Sequence, residues 1–300
     1  MPSDKSARSY YYLMHFIIFI WGFTAVLGAL ISLDSLPLTW YRLFIAIVFL
    51  GGWILFRAVK TSMHPFRTFT RYDFKHFIIN GFLIGLHWLL FFQAIKTGGV
   101  SVTLVSLSSG AFFTSLLEPL IFKRKPALYE MVFGLMIIGI MYYIFKVNEV
   151  DWRAVFYGVS AAFFGALFSV FNGILIKSYR AVYLSFFELL FAWVLISVIM
   201  LLTGNYRSLF EASLQDMFWL LVLGTVCTAY AFTDSLNILK KVSPYTLTLS
   251  INLEPVYGII LALLIFGDTE KMPPNFYAGA LLILLLVALE GIIKLKKSGA

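Results

Sequence analysis

Residues 242–266 read VSPYTLTLSINLEPVYGIILALLIF, and this stretch decides the fold of the chain. As an α-helix rising about 1.5 Å per residue, it is long enough to cross the roughly 30 Å hydrocarbon core of a bilayer. Its only charged residue is Glu254, which lies near its middle and beside Pro255. We therefore expect a transmembrane helix that carries a carboxyl group inside the membrane.

Nine further stretches of the same kind occur in the chain. Hydrophobic residues make up 61% of the 300 residues and charged residues 13%, and the mean hydropathy is +0.90. A chain of this composition cannot bury its apolar surface inside one water-soluble globule. We expect an all-α polytopic membrane protein with ten transmembrane helices, at 11–32, 37–56, 77–95, 100–122, 127–146, 154–176, 183–203, 215–238, 242–266 and 275–293.

The distribution of Lys and Arg tests this segmentation. If the ten spans alternate across the membrane, 17 of the 23 basic residues fall on the side of the N-terminus, five fall on the other side, and Arg42 lies inside a span. Membrane proteins keep an excess of Lys and Arg in their cytoplasmic loops. We therefore attribute the net charge of +8 to orientation and not to nucleic-acid binding. We expect a multi-pass protein of the bacterial cytoplasmic membrane with both termini in the cytoplasm.

An internal repeat appears when the sequence is aligned with itself at an offset of 143 residues. Trp21-Gly22 then falls on Phe164-Gly165, and the span boundaries of the two halves agree to within about five residues. Each half contains five spans, and because five is odd the second half enters the membrane inverted. We expect two inverted five-helix repeats, at 1–148 and 149–300, an architecture typical of alternating-access transporters.

Four short motifs resemble one known family. They are Trp21-Gly22, PLTWYR at 37–42, NLEPVY at 252–257 and LIFGD at 264–268. In this order, and with ten spans, they resemble the drug/metabolite transporter superfamily and, within it, the EamA-type exporters. The resemblance implies ten helices in two repeats and the export of amino acids, other metabolites or drugs. The chain departs from the family's usual Gly-Glu at Gly267-Asp268 and at Lys123-Arg124.

Glu254 is the first candidate for a functional residue. An ionisable group at the centre of a span costs about 2.5–3.5 kcal/mol on insertion scales, so its presence there points to a function. Pro255 removes one helical hydrogen bond and frees a backbone carbonyl. A carboxyl group at such a break is suited to bind a substrate amine or a coupling proton. The alternative is a structural contact that holds the two halves together.

Ten other side chains complete the predicted substrate site: Arg42, His87, Trp88, Trp21, Tyr230, Asp234, Asn252, Tyr257, Ser108 and Glu188. An arginine can clamp a carboxylate with two hydrogen bonds, and a histidine can relay protons near neutral pH. The alternatives are structural. For Arg42 the alternative is a contact with the interface or Asp34, and for Glu188 it is an ion pair with Arg180. For the others it is packing or hydrogen bonding between helices.

No pattern in the sequence suggests catalysis. Cys227 has no base beside it, and the histidines are scattered at His15, His64, His76 and His87. We therefore predict no catalytic residues, no metal and no cofactor, and the chain lacks a filter-like loop of the kind that channels use.

The predicted function is secondary transport, as export or exchange of an amino acid or a related zwitterion by alternating access. Multidrug or lipophilic-cation export is the alternative, ahead of a membrane-embedded enzyme or a channel. The predicted partners are the small solute, the lipid bilayer and, as a possible coupling ion, the proton. No nucleic acid is expected, and we expect a monomer or a weak homodimer.

Overall fold

A computed structural model describes residues 4–61 and 69–298, which are helical almost throughout. The α-helices are α1 Asp4–Leu30, α2 Ser35–Thr61, α3 Arg71–Leu107, α4 Gly110–Phe122, α5 Leu128–Val147, α6 Trp152–Leu175, α7 Ala181–Thr203, α8 Leu214–Gly224, α9 Ala231–Leu239, α10 Pro244–Ile251, α11 Glu254–Phe266 and α12 Pro274–Ser298. A π-helical turn, Thr225–Tyr230, joins α8 to α9, and 3₁₀ turns occupy Asn205–Glu211 and Gly267–Glu270. His64 lies outside the described residues.

Gly99 divides α3 into two parts that belong to different predicted spans. Its φ of 80° and ψ of 176° are not helical, and glycine adopts this region without steric cost. Without the interruption α3 would be about 55 Å long, well beyond the roughly 30 Å hydrocarbon core. In the described part of the chain nine helices are long and apolar enough to cross a membrane, and Gly110–Phe122 is a shorter apolar helix. The predicted all-α polytopic fold is confirmed.

The fourth and ninth predicted spans are both interrupted near their middle. The N–H groups of Ser108, Ser109, Asn252 and Leu253 bond to carbonyls three residues earlier, where an α-helix would use the fourth. The two breaks are related by almost the same offset as the sequence repeat. The two halves therefore agree in structure as well as in sequence, and discontinuous helices of this kind surround the binding sites of inverted-repeat transporters.

Glycines allow close contacts between helices of the two repeats. A Cβ atom at Gly22 of α1 would lie 3.0 Å from the nitrogen of Gly258 in α11. A Cβ atom at Gly81 of α3 would lie 2.6 Å from the carbonyl oxygen of Glu188 in α7. Small residues hold transmembrane helices together in this way because they let the backbones approach.

We call the membrane face on which α1 begins the basic face, because the predicted excess of Lys and Arg lies there. On the opposite face, polar contacts hold helix ends together. Asp216, at the start of α8, accepts hydrogen bonds from the backbone nitrogen and the hydroxyl of Ser32, both at 2.7 Å. Lys96 of α3 donates to the carbonyl of Ile31 at 2.5 Å. The end of α1, the part of α3 just before Gly99 and the start of α8 are thereby joined at this face.

A second polar cluster lies near the basic face. Glu118 of α4 accepts a hydrogen bond from the backbone nitrogen of Tyr245 at 2.6 Å and pairs with Arg124 at 3.0 Å. The Tyr245 hydroxyl bonds to Glu290 of α12, and the Lys294 ammonium lies 4.3 Å from the centre of the Tyr245 ring. The cluster therefore connects α4 of the first repeat with α10 and α12 of the second.

Candidate functional site

A cavity lies between the two repeats, lined by residues of α1, α2, α3 and α4 from one and α6, α9, α10 and α11 from the other. It extends from Arg42 to Leu239 and Leu247, close to the basic-face ends of α9 and α10. Five of the predicted site residues line this cavity, namely Glu254, Arg42, His87, Trp88 and Trp21.

Arg42 is held rigidly at the wall of the cavity. The residue is 1% exposed, and its Nε donates a hydrogen bond of 2.7 Å to the hydroxyl of Thr228. The guanidinium carbon lies 3.9 Å from the centre of the Trp88 ring, within the range of a cation–π interaction. Its Nη1 is buried and has no hydrogen-bond partner among the described residues. Arg42 therefore brings a fixed positive charge and an unsatisfied hydrogen-bond donor to the wall of the cavity.

The π-helical turn explains how Thr228 reaches Arg42. Its hydroxyl donates to the carbonyl of Leu223, five residues earlier, at 2.7 Å, and its oxygen also accepts from Arg42. Gly224, just before the turn, brings α8 against α2, since a Cβ atom there would lie 3.2 Å from the Arg42 carbonyl oxygen. Such turns occur frequently at functional sites because they shift side chains out of helical register.

Glu254 is the first residue of α11, directly after the break at Asn252-Leu253. It is 6% exposed and lines the cavity, and its carboxyl group forms no hydrogen bond or ion pair with any described residue. The alternative role of Glu254 was a structural contact that holds the two halves together. This carboxyl group makes no such contact with the described residues. Glu254 and Arg42 face one cavity without pairing with each other, so each is available to an opposite charge on a ligand.

His87 joins α3 to α6 at the cavity wall. Its Nδ1 lies 2.7 Å from the carbonyl oxygen of Ala161, and because a carbonyl only accepts, Nδ1 must carry a hydrogen. Gly165 makes room for the ring, since a Cβ atom there would lie 2.9 Å from Nδ1. In the neutral ring, Nε2 remains as an acceptor.

Aromatic rings form another part of the wall, beside aliphatic residues of α6, α9 and α10. Trp21, Trp88, Phe91, Phe168 and Phe232 all line the cavity. The Trp88 and Phe232 rings meet edge to face with their centres 5.8 Å apart, and the centres of Phe168 and Phe232 are 6.1 Å apart. The cavity therefore combines an apolar wall with two charged groups.

Two other predicted residues lie at a second cavity, on the other side of the helix breaks. Ser108 and Asn252 line this space, which is otherwise mostly apolar. Tyr257 is half-buried between helices, where its ring meets that of Phe19 edge to face at 5.6 Å. These three residues are outside the lining of the central cavity.

The remaining three predicted residues also lie outside that lining. Tyr230 is 40% exposed at the helix surface. Asp234 accepts a hydrogen bond from Asn237 at 3.1 Å, whereas its neighbour Ser235 faces the cavity. Glu188 is fully buried and bonds to Asn80 and Asn172, not to Arg180.

Sequence reasoning missed several hydroxyl groups of the site: Thr24, Ser169, Ser235 and, as the partner of Arg42, Thr228. Their only signal is polarity within an apolar span, and serines and threonines that bond to their own helix give the same signal. Asn80 and Asn172 were also missed, although each is an amide followed by glycine inside a span.

The chain matches the family described as "EamA-like transporter family" twice, over residues 8–146 and 152–290. A solved structure described as "Crystal structure of protein" superposes with a TM-score of 0.66 at 16% sequence identity, covering 95% of this chain and 97% of that chain. At this identity the likeness concerns the fold alone. No curated protein matches the chain.

Proposed function

This chain belongs to the EamA-like transporter family, and from that membership we propose that it moves an amino acid or a related zwitterion across the membrane by alternating access, as an exporter or an exchanger. The family assignment agrees with the resemblance seen in the sequence motifs.

One observation carries the choice of solute. Arg42 and Glu254 line one cavity, and neither charge is neutralised by the other at ion-pair distance. A carboxylate on the solute would take the free Nη1 of Arg42, and an ammonium group would take the carboxyl group of Glu254. A solute that carries both charges satisfies both residues, whereas an ion of either sign leaves one buried group without a partner.

The rest of the cavity suits the side chain of such a solute. Trp21, Trp88 and Phe168 provide apolar surface, and Thr24, Ser169 and Thr248 provide hydroxyl groups. A polar or an aromatic side chain would find contacts here.

The inverted repeats support alternating access. The cavity lies between the two halves and reaches toward the basic face, while Asp216, Ser32 and Lys96 hold helix ends together on the opposite face. An exchange of conformation between the halves would open the opposite face and close the basic face. With both termini in the cytoplasm of a bacterial cell, as the distribution of Lys and Arg predicts, this cavity receives its solute from the cytoplasm.

The aromatic wall favours a second candidate function, the export of lipophilic cations. Aromatic rings attract cations, and Glu254 would supply the counter-charge. The buried guanidinium of Arg42 repels the same cations, so we rank this function second.

Counterflow in liposomes tests the proposal. Purified protein is reconstituted with an unlabelled amino acid inside, and uptake of the labelled amino acid is measured across the twenty common amino acids. The same assay includes nucleosides and a lipophilic cation. We expect accumulation of at least one amino acid and none of its methyl ester, which lacks the carboxylate. Accumulation of the lipophilic cation alone would favour the second candidate.

A further inference from the structure

A polar cluster apart from the central cavity joins α3, α6 and α7. Asn80 donates from Nδ2 to Glu188 Oε1 at 2.6 Å and to Asn172 Oδ1 at 2.9 Å. Asn172 donates to Glu188 Oε2 at 3.2 Å. Glu188 and Asn172 have no exposed surface, and Asn80 is 2% exposed. Both oxygens of a fully buried carboxyl group thus face neutral amides.

No described cation pairs with Glu188. Its partners are the two amides. On α9, Thr233 bonds to Ser185, which lies one turn before Glu188 in α7. Other titratable side chains face the interior from α2, α3 and α9 and near the start of α7, but they bond to partners other than Glu188. These bonds are Arg42 with Thr228, Asp73 with Tyr179, His87 with Ala161 and Asp234 with Asn237. A buried carboxylate without a counter-ion is costly, and such groups usually take up a proton.

Resting on the transport function proposed above, we propose that Glu188, Asn80 and Asn172 form a proton-binding site, separate from the solute cavity, whose loading and release are coupled to transport. The ligand is a single proton on the Glu188 carboxyl group. Glu254 and Arg42 keep their proposed role in binding the solute.

The amides can hold Glu188 with or without the proton. In the arrangement described, Asn80 is a donor to Glu188, as an ionised carboxylate requires, while its own Oδ1 is buried without a partner. A half-turn of the Asn80 amide would exchange these two atoms and present an acceptor to a protonated Glu188, at the cost of the hydrogen bond from Asn80 to Asn172. The unpartnered oxygen is thus the acceptor that the bound proton needs.

The position of the cluster connects it with the cavity. Asn80 lies two helical turns before His87 on the same face of α3, and Asn172 lies one turn after Ser169 on α6. His87 and Ser169 both line the cavity. A movement of α6 against α3 during transport would therefore change the cavity and the surroundings of Glu188 together.

The test compares the wild type with Glu188→Gln in proteoliposomes. Glutamine is neutral and nearly isosteric, so it mimics the protonated carboxyl group and should fold normally. We expect counterflow of the amino acid to continue within about twofold of the wild-type rate and to become independent of pH. Accumulation driven by a pH gradient, and proton movement reported by a trapped pH dye, should be lost. Glu211→Gln, at an exposed position on a 3₁₀ turn, is the matched control and should retain both.

A second measurement does not depend on the solute. Infrared spectra of the reconstituted protein, recorded over a pH series, should contain a C=O band of a protonated carboxyl group that is absent in Glu188→Gln and present in Glu211→Gln. If Glu188→Gln fails to fold, Asn172→Leu replaces it. That variant loses a donor that stabilises the ionised form more strongly than the protonated form, so the band should persist to a higher pH than in the wild type.

The outcomes separate the two proposals. If no amino acid shows counterflow in the wild type but the Glu188 band is present, the solute is wrong and the proton site stands. Three results would show that the proton site is wrong. They are proton movement with the solute in Glu188→Gln, no accumulation of solute by the wild type under a pH gradient, and an unchanged infrared band in the variant.

Discussion

At the scale of single residues, the central cavity is defined by two opposite charges that attract each other through space but form no ion pair. Arg42 is fixed by Thr228 and Trp88 and retains a free Nη1. Glu254 lines the same cavity without a partner among the described residues. Buried charges without a hydrogen-bonded partner are costly unless a bound ligand supplies that partner. This cost is the physical reason to assign the two residues to solute binding.

Replacing Glu254 by Gln tests the ammonium half of the site. The variant keeps the shape of the side chain but loses its charge, and hydrogen bonds to charged groups are worth about 1.5–3 kcal/mol. We expect counterflow to fall about 10-fold or more, with normal yield and gel-filtration behaviour. The measurement is the counterflow rate over a range of amino acid concentrations, with Glu211→Gln as control. A Glu254→Gln protein that exchanges its amino acid at the wild-type rate would remove Glu254 from the site.

Arg42→Lys tests the carboxylate half. Lysine keeps the charge but lacks the planar fork of donors and the stacking on Trp88, so it cannot bind a carboxylate with two parallel bonds. We expect the KM for the amino acid to rise about 10-fold. The preference for the amino acid over its methyl ester, measured by competition, should shrink. If KM and this preference both stay unchanged, Arg42 serves packing alone.

At the scale of elements, the irregular segments position the site. The π-helical turn Thr225–Tyr230 shifts Thr228 toward α2, and the break at Asn252-Leu253 places Glu254 at the start of α11. Gly99 interrupts α3, and Glu270 accepts a hydrogen bond of 2.9 Å from the nitrogen of Val100, which follows it. Regular helices would present the same side chains at other angles.

Thr228→Val tests the π-helical turn. Valine preserves the shape of the side chain but cannot accept the hydrogen bond of Arg42. A bond to a charged group is worth about 1.5–3 kcal/mol, of which only the part that positions Arg42 affects solute binding. We expect the KM for the amino acid to rise about fivefold, with the preference against the methyl ester partly lost. Thr225→Val is the matched control, because Thr225 belongs to the same turn and its hydroxyl bonds only to Leu221 of its own helix segment, at 2.6 Å. Equal effects in the two variants would mean that the turn itself matters, and not its bond to Arg42.

At the scale of the whole molecule, the two repeats must move against each other. Contacts such as Asp216 with Ser32 hold the opposite face, and the cavity reaches toward the basic face. Transport then requires the ends of α1 and α8 to separate once in each cycle.

Crosslinking tests this movement. In the variant Ser32→Cys with Asp216→Cys, a short cleavable reagent that joins the two thiols should stop transport, and cleavage should restore it. The native Cys227 is buried, so it should not compete for the reagent. Each single-cysteine variant treated in the same way should remain active. Full transport by the crosslinked double variant would contradict alternating access at this face.

The sequence alone was enough to predict the architecture. Hydropathy and the positions of Lys and Arg are properties of each segment by itself, so the number of spans and the inversion of the halves follow without tertiary contacts. Five of the eleven predicted site residues line the central cavity, among them Glu254, the one charged residue of the span 242–266.

Only the tertiary structure decided which polar side chains meet. Glu188 and Glu254 look alike in the sequence, as single carboxyl groups in apolar spans. Packing turns Glu254 into the cavity and Glu188 against Asn80 and Asn172. The physical reason is that the rotation of each helix about its axis depends on its neighbours, through contacts such as Gly81 with α7 and Gly224 with α2, and on local breaks such as the π-helical turn.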